Sequence, residues 1–186
     1  MTAFGKATYI LTLREQARKS NMMPEGAEAE RDAHWMREAL RAAAEAAALG
    51  EVPVGACVVA GDGRMLALAG NRTRTDCDPT AHAEIVALRE AARIIGNYRL
   101  TNAVMYATIE PCAMCAGALV QARVRRLVYG ATDERAGAVH TQFGIGATSS
   151  LNHQIEITPG VLETECRAIM QAFFRARRTK AVMSDE

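Results

Sequence analysis

Four side chains in two short runs could do chemistry together. Thr80-Ala81-His82-Ala83-Glu84 offers an imidazole and a carboxylate, and Glu110-Pro111-Cys112-Ala113-Met114-Cys115 offers two thiolates. A zinc ion with three protein ligands keeps its fourth position for water, the layout of a catalytic site. Zinc lowers the pKa of that water to near neutrality, and a carboxylate left off the metal can then carry protons. His82, Cys112 and Cys115 read as the ligands and Glu84 as the proton carrier. Each run alone is a weak signal. A CxxC pair also occurs in redox proteins and structural zinc sites, and a histidine near a helix start is more often a simple hydrogen-bonding residue.

Both runs sit where helices should begin. Pro111 suits the first helical position, where its missing N–H costs nothing, and this puts Cys112 and Cys115 in the first turns on one face. Asp78-Pro79-Thr80 reads as a second helix start, capped by Thr80 or Asp78, with His82 in the first turn. Two helix N-termini would then converge on one ion and stabilise its thiolates.

The positioning elements follow from hydrophobic periodicity. A helix is expected from Asp32 to Leu49, closed by Gly50. Strands are expected over Val54–Ala60 and Met65–Ala69, joined by a Gly61-Asp62-Gly63 turn. A polar loop, Asn71–Asp78, feeds the histidine helix, which ends near Ile95. Next come a strand over Val104–Ile109, the cysteine helix to about Ala122, a strand over Arg126–Gly130 and a long loop to about His153. A short strand over Gln154–Thr158 precedes a last helix from near Val161, with Leu162, Cys166, Ile169 and Phe173 as its buried stripe. This alternation gives an α/β class with a mixed sheet covered on both faces.

Composition bounds the reading. With 186 residues, 49% hydrophobic and 23% charged, the chain suits one soluble domain. The net charge of +1 does not by itself point to nucleic acid. Two basic groups, Arg123/Arg125/Arg126 and Arg175/Arg177/Arg178/Lys180, read equally as solvated faces or phosphate contacts. The five cysteines have no disulfide-framework spacing; Cys57 and Cys166 read as core, and Cys77 as a bystander or spare ligand. Thiolate ligands and the lack of a secretory signal suggest a reducing cytoplasm, and no segment is apolar enough to span a membrane. Residues 1–30 read as an appendage with a short helix over Thr8–Lys19: a disordered extension, a transit peptide, or a mis-assigned start given Met22 and Met23. The domain proper is expected over 31–180, with a short tail at 181–186.

In this order, with proline before the first cysteine, the two runs form the H-x-E…P-C-x-x-C signature of zinc nucleobase deaminases. Further stretches match: Glu51-Val52-Pro53-Val54-Gly55-Ala56, Asn97-Tyr98-Arg99-Leu100, Leu151-Asn152-His153 and Phe173-Phe174-Arg175-Ala176-Arg177-Arg178. From about Asp32 to Arg178 the chain resembles the bacterial tRNA-specific adenosine deaminases of the cytidine-deaminase-like superfamily. The resemblance implies a three-layer α/β/α sandwich with a five-stranded mixed sheet, a zinc ion in each subunit, and a homodimer. It implies hydrolytic deamination of adenosine to inosine at the wobble position of a tRNA anticodon, with an arginine tRNA as substrate. It also implies that Asn71 contacts the purine and Asp133 a ribose hydroxyl, while Phe173, Phe174 and Arg175 lie along the anticodon stem-loop. Asn71 could instead only organise a turn, and Asp133 could be a surface loop residue; Phe173 reads as core, which leaves Phe174 as the better RNA contact. The loop from Val139 to Ser150 departs from the family's pattern, so RNA choice could differ if it borders the substrate. Two alternatives remain: a deaminase of a free base or nucleoside such as guanine or cytosine on the same fold, and a non-catalytic RNA-binding subunit with structural zinc.

Overall fold

The computed structural model describes residues 26–146 and 150–183, with side chains to residue 179. The chain divides into two compact units, residues 1–31 and 32–186. In the first, Glu28 and Arg31 pair one turn apart in the opening of a helix; the helix expected over Thr8–Lys19 lies outside the described residues. The elements are α1 (Ala27–Ala48), β1 (Gly55–Val59), β2 (Met65–Gly70), α2 (Ala83–Ile95), β3 (Val104–Ile109), α3 (Ala113–Gln121), β4 (Arg126–Ala131), β5 (Glu156–Thr158) and α4 (Glu163–Met183).

The five strands make one sheet in the order β2-β1-β3-β4-β5. β1 runs antiparallel to both β2 and β3, whereas β3, β4 and β5 are parallel, so the sheet is mixed as expected. The β1–β2 hairpin closes with the Ala60 N–H on the Arg64 carbonyl at 2.8 Å, and Gly63 takes a left-handed φ of 87° there. Strand periodicity sorts the core into two faces. Ala56, Val58, Met105, Ala107, Leu127 and Tyr129 pack with α2 and α3. Cys57, Val59, Val104, Tyr106 and Val128 pack with Met36 and Ala39 of α1 and Cys166 of α4. Cys57 and Cys166 are therefore core, and Cys77 is exposed.

Two devices seat α1. Gly55 lets the helix backbone lie directly on the sheet: a Cβ there would come within 2.7 Å of the Ala43 nitrogen and closer still to the Ala39 carbonyl oxygen. A buried ion pair joins Asp32 of α1 to Arg126 of β4, at 2.7 and 3.1 Å. The Tyr106 hydroxyl donates to the same carboxylate at 2.9 Å, and Arg126 also donates to Thr158 Oγ1. Arg126 therefore faces inward and leaves the basic group in which the sequence placed it.

Element ends differ from expectation for local reasons. Helix α1 starts at Ala27, ahead of Asp32, because Glu28 and Glu30 favour a helix N-terminus without adding any apolar periodicity. Helix α4 starts at Glu163, after Val161, because Gly160 and Leu162 have left-handed φ values of 83° and 52°. It runs on to Met183, into the stretch read as a tail. Strand β5 begins at Glu156, two residues after Gln154. Phe173 is half-buried, short of a core position. Among the described residues no helix is long and apolar enough to cross a membrane.

Both clashes at Gly55 would be with helix backbone, which has no rotamer to yield. Gly55→Ala should cost about 3 kcal/mol, read as a lower urea midpoint at unchanged m-value. A wild-type midpoint would mean that α1 does not rest on β1 in this way.

Candidate active site

Three side chains meet at the ends of two helices. His82 stands at the N-cap of α2 and Cys112 at the N-cap of α3, both with extended backbone; Cys115 lies one turn into α3. The Nδ1 of His82 is 3.6 Å from each sulfur, and the three potential ligand atoms lie within 4.8 Å of one another. Such a group could hold a metal ion, and its pairing of soft thiolates with imidazole suits zinc.

The helix starts differ from expectation by a residue or more. Pro111 precedes the N-cap and is not the first helical residue. Asp78 does not cap α2; its carboxylate accepts from the Thr80 N–H and hydroxyl in a tight local turn. The side chain that serves α2 is Asn71, 7% exposed, whose Oδ1 accepts from the Ala83 N–H at 3.0 Å.

The ligand group shares protons. Hydrogen bonds from Cys115 and His82 pull the Cys112 thiol down to about 3. The Cys115 thiol is pushed up by donating to Cys112 and by burial. His82 is raised by its hydrogen bond to Cys112. Glu84, in the first turn of α2, is 2% exposed, and its Oε2 has no hydrogen-bond partner among the described atoms. Burial raises its pKa, while its hydrogen bond with Cys115 works the other way.

Two further glutamates, neither assigned a role from sequence, hold the flanking loops from inside. Glu51 accepts from the Arg74 and Thr75 N–H groups at 2.9 and 2.7 Å and from both threonine hydroxyls, Thr73 and Thr75. Glu110 accepts from the N–H groups of Asp133, His140 and Thr141 at 3.3, 2.8 and 2.9 Å, and from the Thr141 hydroxyl. Burial acts to raise both carboxyls, and these hydrogen bonds outweigh it and hold both below the usual range. The available signal was an acid abutting an apolar strand segment, Glu110 directly after β3 and Glu51 shortly before β1.

Asp133 spends its Oδ1 on the N–H groups of Arg135 and Ala136, leaving Oδ2 for another partner. It lines a groove of about 960 Å³ together with Arg135, Arg167, Phe174, Arg175 and Arg178. The structure thus brings His82, Glu84, Cys112 and Cys115 together. Asn71 joins them through α2, whereas Asp133, Phe174 and Arg175 line that groove, which none of the four lines.

Binding a divalent cation must expel the Cys115 proton and any proton on His82. Apparent affinity should therefore rise with pH, with release of roughly one proton or more. Titration calorimetry in buffers of different ionisation enthalpy reads this directly; heats independent of buffer would contradict the proton-sharing arrangement. For Glu110 the folded pKa is depressed, so its stabilisation is complete above its unfolded value of about 4.3 and is lost as pH falls through the folded value. Glu110→Gln should lose about 2 kcal/mol at neutral pH, with the gap to wild type closing in acid. A gap that stays constant down to the acid limit would show that the charge is not what holds the loop.

The MafB19-like deaminase family matches residues 30–178. The tRNA-specific adenosine deaminase of Haemophilus influenzae is 46% identical over 147 residues, 79% of this chain and 85% of that one. A solved structure from work on tRNA:A34 deaminases and A-to-I editing at the wobble position superposes with a TM-score of 0.71 at 44% identity, covering 73% of this chain and 98% of that chain. A guanine deaminase from Nitrosomonas europaea has a TM-score of 0.66 at 25% identity, with 76% of this chain and 83% of that one covered. With the sandwich, the His/Cys/Cys group and these likenesses together, the chain belongs to the MafB19-like deaminases, among the tRNA-specific adenosine deaminases.

Proposed function

We propose that the protein is a zinc-dependent hydrolase that converts adenosine to inosine at the wobble position of a tRNA anticodon, with an arginine tRNA as substrate, acting as a homodimer in the cytoplasm. The observation that carries the chemistry is Glu84: a buried carboxyl with one oxygen that has no hydrogen-bond partner among the described atoms, beside the three potential ligands and outside their group. His82, Cys112 and Cys115 would hold the zinc ion. Bound there, zinc supplies the Lewis acidity that makes water nucleophilic near neutral pH.

The chain's own residues do the rest. Glu84 takes a proton from the attacking water, which adds at C6 of adenine. Glu84 passes that proton to the ring nitrogen, then takes the remaining proton from the C6 hydroxyl and delivers it to the departing amine, so that the C6 carbonyl forms, water enters and ammonia leaves. Its raised pKa suits a group that must hold a proton between these transfers. Asn71, with its carbonyl spent on α2, has its amide NH2 to offer the purine edge. Asp133 Oδ2 can accept from a ribose hydroxyl. Phe174, 42% exposed, and Arg175 offer a stacking surface and a cation to an RNA loop, whose unpaired bases are cheap to splay out.

The substrate reading is supported by the arginine-bearing groove beside Asp133 and by the tRNA-specific relatives. The guanine deaminase likeness keeps a free base as the rival on the same fold.

The test uses purified, zinc-loaded protein with an arginine tRNA carrying a wobble adenosine, alongside free adenosine, guanine and cytosine. Inosine at the wobble position is the expected product, read by sequencing. Ammonia from a free base or nucleoside alone would overturn the RNA reading. Glu84→Ala should keep its zinc and lose on the order of 10²–10⁴-fold in kcat; substantial turnover in that variant would remove Glu84 from the mechanism.

A further inference from the structure

The loop after β4 carries a large side chain that none of these roles uses. Phe143 is 69% exposed, yet the backbone around it is tied down on both sides. Before it, the His140 and Thr141 N–H groups bond to Glu110. The Gln142 N–H reaches the Gly137 carbonyl at 3.0 Å, and its Nε2 reaches the Glu134 carbonyl at 2.7 Å. After it, the Ile145 N–H bonds to the Ala138 carbonyl at 2.9 Å. Gly137 in turn pairs with Cys112 as an isolated bridge, and the Ala138 N–H bonds to the Pro111 carbonyl at 2.9 Å. A short path of hydrogen bonds therefore links the ring's loop to the metal-ligand turn.

Folding gives no reason for an aromatic here, because a ring this exposed contributes little burial. What it presents is a flat π-face on a braced loop, the surface on which an unpaired base stacks. Glu134, whose carbonyl holds Gln142, also lines the groove that bears Arg135, Arg167, Arg175 and Arg178, so the loop that carries the ring is tied to one wall of a cationic groove. A nucleotide drawn out of an RNA loop leaves its neighbours without a stacking partner. We propose that Phe143 is a stacking platform for the unpaired base next to the target nucleotide, braced in advance by Glu110 and Gln142. This rests on the RNA reading above and assigns a role to the loop that departs from the family's pattern.

The experiment begins with wild-type protein and the arginine tRNA. Absence of inosine there would dispose of the RNA reading, and the platform with it, before any variant is made. Given inosine, Phe143→Ala, Phe143→Leu and Phe143→Tyr are compared for anticodon stem-loop affinity, KM and kcat, with zinc content, Tm and subunit assembly followed in parallel. Ala and Leu should weaken binding and raise KM about tenfold, as loss of one stacked base predicts, with Tyr near wild type. Unchanged affinity in the Ala variant would overturn the platform alone. So would a loss that Leu restores as fully as Tyr, or one that accompanies a change in subunit assembly.

Discussion

Three potential ligand atoms confined within 4.8 Å of one another at two helix ends set the demand that the rest of the fold meets. Two thiols and an imidazole at that range cannot ionise independently: a thiolate at Cys112 is stabilised by donors on Cys115 and His82, which are thereby held protonated. The partial positive charge of two helix N-termini favours the thiolate form. A cation bound there would replace the shared protons and relieve the crowding. The sheet sets the separation of the two helix starts. β3 delivers Cys112 and β2 delivers Asn71, with β1 between them, so the strand ends stand about 10 Å apart, two strand spacings. The loop from Asn71 to Ala81 crosses that gap, and the Asn71–Ala83 hydrogen bond fixes where α2 begins.

Loops beside a site are a weak point, because they lack both a ladder of backbone hydrogen bonds and an apolar core. Here each flanking loop is wound around a buried carboxylate. A carboxylate costs several kcal/mol to bury unless its oxygens are satisfied, and backbone N–H groups in a loop cost free energy unless they find acceptors. Glu51 and Glu110 settle both demands at once, and they work only when the loop takes one conformation. The loops are thereby specified from within, so substrate need not order them on binding, and the entropy of binding is correspondingly less unfavourable.

Much of this was legible in the sequence because the chemistry and the helix starts use short, fixed spacings. His82, Glu84, Cys112 and Cys115 come together as their spacing implies, and strand and helix order follow from periodicity. The helix caps were misplaced because cap preferences favour Ser, Thr, Asp and Asn, whereas here the N-caps are His82 and Cys112, whose side chains face each other and leave capping to others. Distant polar pairs were not legible at all. Arg126 looked like part of a basic surface because its partner Asp32 is 94 residues away. Glu51 and Glu110 looked like ordinary acids at strand ends because their acceptor roles depend on loops more than twenty residues downstream.

The three buried glutamates separate structure from chemistry by a single criterion. All are nearly inaccessible to solvent. Glu51 and Glu110 each accept four hydrogen bonds that reach both carboxylate oxygens, and their pKa values are held down. Glu84 keeps one oxygen without a partner, and burial pushes its pKa up. An unsatisfied buried oxygen is a cost to the fold, and folding alone would favour filling or removing it. In the proposed reaction, its place beside the His/Cys/Cys group gives the cost a reason, since a carboxyl already saturated with hydrogen bonds could neither accept a proton from water nor release one to a leaving amine.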